Sequence, residues 1–492
     1  MDSEKKYVIS IDQGSTSTRS VIYDLNLNLI SSSQIKLEEI YPENGWVELE
    51  PYKIIESVIK TINNAILDSG INIKNILSIG LTNQRETVVF WDKKTLKPFG
   101  NAISWQCLRG IEICEKLKST EFEKKFIEST GLKIDPYFSF SKIIWAIENN
   151  KEINNALKNN RLRIGTIDTW ILANLTDSEE HKIEITNASR TGLFNTKTEE
   201  WDESLLSLLN LDKSIFPSVH PSDAVFGKTK KKLFGKEIEI NAILGDQQSS
   251  LYGHKDGNQY EIKCTFGTGG FLLIDTGEKR FSYNNNFLST IAFKKNEKTM
   301  HALEGSILSA GSTLEWLKKI NVIENFEDIE NQLNSTQLND VQLIPALNGL
   351  GAPFWDGKIR ASIENINSGT TKEEIIRSAF ESIGFSTKAI LEKIEETISF
   401  PVKVLKIDGG LSKSPFFCQF LSDLLNIKVK ASINSEITSM GVAKLAIEKF
   451  NIDYKFKIPY SEFDPISNNK NVYTNKYKKW KKLIENKIKV KE

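Results

Sequence analysis

The residues best suited to chemistry are polar groups set inside apolar surroundings. Asp246 follows the apolar run Ala242-Ile-Leu-Gly245 and opens Asp246-Gln247-Gln248. An acid placed there either caps a helix or serves as a general base. Arg85 and Glu86 stand between Ile79-Gly-Leu and Thr87-Val-Val-Phe-Trp91. They form an internal ion pair or act as donor plus acceptor for a polyol, whose hydroxyls both give and take hydrogen bonds. Adjacent strand residues point to opposite faces, so both can serve one ligand only if the chain bends there. Trp105 and Tyr137 are core aromatics or pack on a ligand's carbon edge, Tyr137 adding a hydroxyl.

Two glycine- and hydroxyl-rich turns can aim N–H and O–H groups at a phosphate. The first, Gln13-Gly-Ser-Thr-Ser17, follows Tyr7-Val-Ile-Ser-Ile-Asp12; the second, Gly267-Thr-Gly-Gly270, follows Ile262-Lys-Cys-Thr-Phe266. A third bend, Asp408-Gly-Gly410, ends another apolar strand. None is a P-loop of the G-x-x-x-x-G-K-[ST] type, and the first two lead into strands rather than helices. Asp12 is placed to hold hydrated magnesium, and Arg19 to return its guanidinium to a terminal phosphate. The four histidines, His181, His220, His254 and His301, form no metal-spaced cluster or triad-like setting and are given no chemistry.

The elements that must position these groups are read from periodicity. Each of the first two glycine-rich bends lies between two strand-like runs. Ile54, Ile55, Val58, Ile59 and Ile62 recur at helical spacing within 52–69, and Ile375, Ile376, Phe380 and Ile383 do so within 371–396. Strands mixed with such helices, in a similar order in both halves, predict a duplicated α/β protein. A break near residue 250 gives domains 1–250 and 251–492, with a cleft between them for a small molecule.

The chain has 492 residues, with Lys+Arg 64 balancing Asp+Glu 64. That balance excludes whole-protein electrostatic capture by nucleic acid or an anionic membrane. No apolar run approaches the ~18 residues of a membrane span, and Met1-Asp-Ser-Glu-Lys-Lys6 is no secretory signal. Cys107, Cys114, Cys264 and Cys418 are scattered, which predicts reduced thiols in a cytoplasmic protein.

Several runs together resemble the FGGY carbohydrate kinases. They include Ser10-Ile-Asp-Gln-Gly14, Thr82-Asn-Gln-Arg-Glu-Thr87, Trp105-Gln-Cys107, Asp135-Pro-Tyr137, Gly165-Thr-Ile-Asp-Thr-Trp170 and Thr186-Asn-Ala-Ser-Arg-Thr191. Gly245-Asp-Gln-Gln248, Gly267-Thr-Gly269, Ala302-Leu-Glu-Gly305, Gly349-Leu-Gly-Ala-Pro353 and Asp408-Gly-Gly410 continue the family's order along the chain. The Asn-Gln-Arg-Glu-Thr run is similar to the branch that phosphorylates glycerol. The resemblance implies two domains of the actin-like, ribonuclease H-like ATPase fold, with ATP, Mg2+ and glycerol meeting in the cleft and sn-glycerol 3-phosphate as product. It implies glycerol contacts at Arg85, Glu86, Trp105, Tyr137, Asp246, Gln247 and Phe271, with Asp246 as base. Nucleotide positions fall on Ser15, Thr16, Ser17, Arg19, Thr268, Gly311, Glu315, Gly410 and Ser414. A homodimer or homotetramer is implied as well.

The resemblance further implies a loose phosphoryl-transfer transition state, so catalysis is mostly alignment and charge neutralisation. This chain departs from the family pattern at five places. Ser15 replaces Thr and keeps the hydroxyl, whereas Glu315 replaces Gln and Ser414 replaces Asn near the nucleotide, which bears on nucleotide preference. Leu108 replaces Arg. Lys232 stands where some members carry a phosphorylated histidine, so no stimulation by the sugar-transport phosphocarrier is expected.

Overall fold

The structure is a computed structural model that describes residues 5–176, 181–257, 260–283, 286–451, 457–466 and 469–489. Two mixed sheets dominate it. The first runs Gly227–Lys228, Glu239–Gly245, Ile76–Asn83, Tyr7–Gln13, Ser17–Asp24, Leu29–Lys36. The second runs Leu288–Lys295, Lys298–Ile307, Gly270–Gly277, Ile262–Phe266, Val404–Gly409, Lys428–Ser432, Tyr460–Phe463.

Strand sense repeats between them. In the first sheet Tyr7–Gln13 pairs antiparallel with Ser17–Asp24 and parallel with Ile76–Asn83, which is parallel to Glu239–Gly245. In the second, Ile262–Phe266 is antiparallel to Gly270–Gly277 and parallel to Val404–Gly409, itself parallel to Lys428–Ser432. The expected duplicated α/β architecture is therefore present.

The central strands are nearly all apolar because both of their faces are covered. Ile9 and Ile11 pack with Ile54, Val58 and Ile62 of the helix Pro51–Ser69. That helix starts with Pro in its first turn and stops at Gly70, whose φ of 65° is left-handed. On the opposite face, Val8 and Val21 pack with Ile437, Met440 and Ala443 of the helix Ile437–Glu448. Beneath the second sheet, Leu272 and Ile274 meet the long helix Lys372–Ile398, begun by a Thr371–Glu374 capping box. Leu273 and Ala302 turn the other way, onto Leu251 and Tyr252 of the helix Asp246–His254.

The two inner helices thus exchange places. Asp246–His254 follows a strand of the first sheet and packs under the second; Ile437–Glu448 does the reverse. They cross through small residues. A Cβ on Gly441 would lie 1.9 Å from the Ser249 carbonyl oxygen, so only glycine permits this approach. A four-stranded antiparallel sheet (Glu48–Leu49, Ala102–Ile103, Val88–Asp92, Leu162–Thr166) and an aromatic core around Phe122, Phe126 and Phe140 complete the first half. All four cysteines are free and buried.

Candidate active site

The bend required at Arg85–Glu86 exists. The strand Ile76–Asn83 ends, and Gln84 donates its amide to Gln13 Oε1 at 3.1 Å and to the Gly14 carbonyl at 3.0 Å. Glu86 then takes φ 60°, and the Thr87 N–H donates to the Arg85 carbonyl at 2.7 Å. This tight turn aims both side chains inward, where extended geometry would have separated them.

There they join a buried charge ladder. Arg85 Nη1 lies 2.7 Å from Glu304 Oε2, Arg190 Nη2 lies 2.9 Å from Glu304 Oε1, and Arg190 Nε lies 2.6 Å from Glu86 Oε1. Burial opposes charge at all four, but each faces an opposite partner. Glu304 keeps a depressed pKa because Arg190 and Arg85 flank it. Burial raises the pKa of Glu86, against Arg85 and Arg190. Arg85 is held charged, well above the usual arginine value, chiefly by Glu304 against its own burial. Because Glu304 belongs to the strand Lys298–Ile307, the ladder joins the two halves at the floor of the cleft.

Asp246 sits where this ladder opens to solvent. Its Oδ1 is 3.2 Å from Arg85 Nε, and its side chain is 32% exposed against 2% for Arg85. The backbone before it is fixed, since the Gly245 N–H donates to Thr186 Oγ1 at 2.9 Å. Thr186 in turn donates to Glu184, whose carboxyl burial pushes up to about 7. Arg85 also donates to the Tyr137 hydroxyl at 3.3 Å and to Gln248 Oε1 at 3.2 Å. Trp105 stands edge-on to Tyr137 at 5.6 Å and to Phe271 at 6.4 Å, forming an aromatic wall with contributions from both halves. Lys263 Nζ donates to Gln247 Oε1 at 2.6 Å and to Thr265 Oγ1 at 2.8 Å. These contacts, with the Gln247 N–H donating to Asp246 Oδ1 at 2.7 Å, link the seven residues singled out for a polyol into one cluster.

The expected nucleotide positions fall on glycine-rich bends of both halves and on two helices of the second. The first turn closes with the Gly14 N–H donating to the Ser17 carbonyl at 2.9 Å, and the Trp105 indole donates to Ser15 Oγ at 2.9 Å. Thr16 is exposed, and Ser17 accepts from Gln34 at 3.0 Å. Arg19 pairs at 2.7 Å with Glu436, which comes from the other half. In the second half, the Gly311 N–H donates to the Gly267 carbonyl at 3.0 Å, and the Ala310 and Ser312 N–H groups donate to the Thr268 carbonyl. Gly409, at φ 92°, presses against Phe266 and aligns Gly410 beside this turn. Glu315 is exposed on the helix Gly311–Lys319. Ser414 has a different engagement: it caps the helix Pro415–Leu425 and donates to Glu330 at 2.7 Å.

Asp12 is pushed up to about 7 by burial, then by Asp246 and Glu436, against Arg19. A buried carboxylate held back from ionising, with other carboxylates beside it, suits a cation. Among the described residues no group of three His, Cys, Asp or Glu side chains could cage a metal. This donor set fits an ion that keeps waters and phosphate oxygens, as magnesium does.

Reasoning from the sequence missed Arg190, Glu304, Gln248 and Lys263 as members of the site. Glu304 lies in Met300-His-Ala-Leu-Glu-Gly305, a charge within a buried strand, which is the signal that marked Arg85. Sequence spacing also did not reveal that His254 lies between Asp408 and Tyr460.

The N-terminal domain of the FGGY family of carbohydrate kinases matches residues 7–253, and the C-terminal domain of that family matches 262–448. The chain is 43% identical to a glycerol kinase of Shewanella woodyi over 446 residues, 90% of each protein. It is 40% identical to a glycerol kinase of Thermoanaerobacter over 499 aligned positions, covering 98% of this chain and 99% of that one. Its fold is similar to the crystal structure of Plasmodium falciparum glycerol kinase with ADP, with TM-score 0.88, 33% identity and 98% of each chain covered. A gluconate kinase from Lactobacillus acidophilus shares the fold at TM-score 0.86 and 20% identity.

Proposed function

Starting from the chain's membership of the FGGY family of carbohydrate kinases, we propose that it transfers the γ-phosphoryl group of ATP to glycerol, giving sn-glycerol 3-phosphate. The observation that carries this reading is the solvent-reachable carboxylate of Asp246, held 3.2 Å from Arg85, which itself touches the Tyr137 hydroxyl beside Trp105 and Phe271. The division of labour follows residues 1–250 for glycerol and the first phosphate turn, and 251–492 for the nucleotide.

Arg85, Glu86, Tyr137 and Gln247 orient the hydroxyls of a three-carbon polyol, and Trp105 and Phe271 cover its carbon edge. Asp246 accepts the proton of the attacking hydroxyl. Carboxylates are weak bases for alcohols, so that transfer comes late, after the oxygen–phosphorus bond begins to form. Arg85 fixes the orientation of Asp246 through Nε, which leaves the exposed part of the carboxylate for substrate. Ser15, Thr16, Ser17, Thr268, Gly311 and Gly410 cradle the phosphates, with Glu315 and Ser414 toward the base. Arg19 exchanges Glu436 for a terminal phosphate oxygen. Asp12 would hold hydrated Mg2+ through water, and the ion would supply charge neutralisation at the β and γ phosphates. The Arg85–Glu86 pair with Trp105 suits a short three-carbon substrate and favours glycerol over pentuloses.

The test is a coupled assay for glycerol 3-phosphate with wild type and Asp246→Asn across a panel of polyols and ketoses. Glycerol is expected to give the highest kcat/KM, and the variant to lose at least about 10²-fold in kcat while still binding glycerol. A variant with comparable kcat, or a pentulose preference in wild type, would overturn the reading.

A further inference from the structure

His254 ends the helix that Asp246 begins, about 12 Å away at 1.5 Å per residue. Its side chain is 1% exposed, yet both ring nitrogens are used. Nε2 lies 2.8 Å from Asp408 Oδ2, and Nδ1 lies 2.8 Å from the Tyr460 hydroxyl, whose ring stacks on the imidazole. One turn earlier on the same helix, Ser250 donates to the same Asp408 oxygen at 2.9 Å. Asp408 immediately precedes the Gly409-Gly410 bend.

The partners dictate the proton positions. A carboxylate only accepts, so Nε2 carries the hydrogen; in a neutral ring Nδ1 then accepts, and the tyrosine hydroxyl donates to it. Burial, with Lys263 and Lys406 nearby, lowers the imidazole pKa against the pull of Asp408, so the ring is neutral near pH 7. The groups facing it are Asp408, Tyr460, Lys263 and Lys406.

We propose that His254 is a positioning residue for nucleotide binding: as the Nε2–H tautomer it ties Asp408, and with it the Gly409-Gly410 bend, to the helix that carries Asp246. One rigid element then sets the register between the phosphoryl acceptor at its start and the nucleotide turn at its end. This rests on the kinase reading above. The binding measurement needs no turnover, so failure to phosphorylate glycerol would sink that reading and leave this one standing.

The experiment is calorimetry with Mg-ADP on wild type, His254→Ala and His254→Gln, with KM for ATP and for glycerol measured alongside. Alanine removes a hydrogen bond to a charged group, so the Mg-ADP Kd and the KM for ATP are expected to rise about tenfold or more. The KM for glycerol is expected to stay within about twofold, since the pocket around Asp246 is built by other side chains. Glutamine offers an amide NH2 to donate and a carbonyl oxygen to accept, and is expected to restore affinity to within about threefold of wild type. Unchanged Mg-ADP affinity in the alanine variant, an equal rise in both KM values, or no rescue by glutamine would overturn the proposal.

Should the alanine variant not fold, nitrogen-15 NMR of the wild-type imidazoles decides. The chain has His 4, so the His254 signal is the one missing from the glutamine variant. It is expected to report a neutral Nε2–H ring at pH 7 that shifts with Mg-ADP and not with glycerol. A cationic or Nδ1–H ring, or a signal blind to Mg-ADP, refutes the assignment.

Discussion

Glu304 holds two guanidinium groups in a space that excludes water, and its neighbours depend on it. Replacing it with glutamine leaves Arg85 and Arg190 short of one negative charge. Breaking a buried ion pair by removing one partner costs about 3–5 kcal/mol. Glu304→Gln is therefore expected to lower the urea midpoint markedly, with a higher KM for glycerol as Arg85 drifts; an unchanged midpoint would contradict the ladder. His181 makes a prediction of different sign. Its Nε2–H donates to the Ile164 carbonyl at 2.7 Å, and burial with nearby Arg163 drops its pKa from 6.5 to about 3. Between those values the unfolded chain binds a proton that the folded chain refuses. Stability is thus intact above pH 6.5 and falls by about 1.4 kcal/mol per pH unit as pH drops toward 3. Melts of His181→Gln and wild type across pH 4–7 should differ by that slope, and parallel curves would count against it. At this scale the sequence was readable where a charge interrupts an apolar run, as at Arg85, Glu86 and Asp246. It was silent on partners. Arg190 and Glu304 are 114 residues apart, and only the folded chain brings them together.

Elements were legible where periodicity is strong. The helix expected over 52–69 is Pro51–Ser69, and the one over 371–396 is Lys372–Ile398, begun at a reciprocal Thr371–Glu374 cap and ended at Ser399 in the left-handed region. The strand–bend–strand units also stand where alternation and glycine placed them. What periodicity cannot convey is which sheet a helix covers. The helix Ile437–Glu448 is apolar on nearly every side, a pattern that fits any buried location. Its true setting is decided by shape: Gly441 lets it touch the Ser249 backbone, and Gly80 lets it approach the first sheet, where an added Cβ would lie 2.9 Å from the Val442 carbonyl oxygen. Gly441→Val forces the crossing helices apart. Overpacking of this kind costs about 1–3 kcal/mol. A lower Tm together with reduced kcat is the expected outcome, because one of the displaced helices begins with Asp246; a variant with wild-type melting and turnover would show that the crossing is loose.

For the whole molecule, the duplicated architecture was readable from the repeated order of runs; the strands of the first sheet end at Gly245, those of the second begin at Ile262, and the helix Asp246–His254 lies between. The halves are nonetheless interdependent. Val8, Val21 and Tyr23 of the first sheet are covered by Ile437, Met440 and Ala443, while Leu273 and Ala302 of the second rest on the helix Asp246–His254, which a cut at residue 250 would sever. Expressed apart, residues 1–250 and 251–492 should each aggregate or bind hydrophobic dyes, and co-expression should recover soluble complex. Two independently folded, monodisperse fragments would refute this. The same exchange has a consequence during synthesis. A polypeptide leaves the ribosome from its amino end, at about 5–20 residues per second. The first sheet therefore emerges long before residues 437–448 exist, and for tens of seconds its underside is bare hydrocarbon. The nascent protein is by construction a client for holding chaperones, and its first half becomes native only when translation is nearly done.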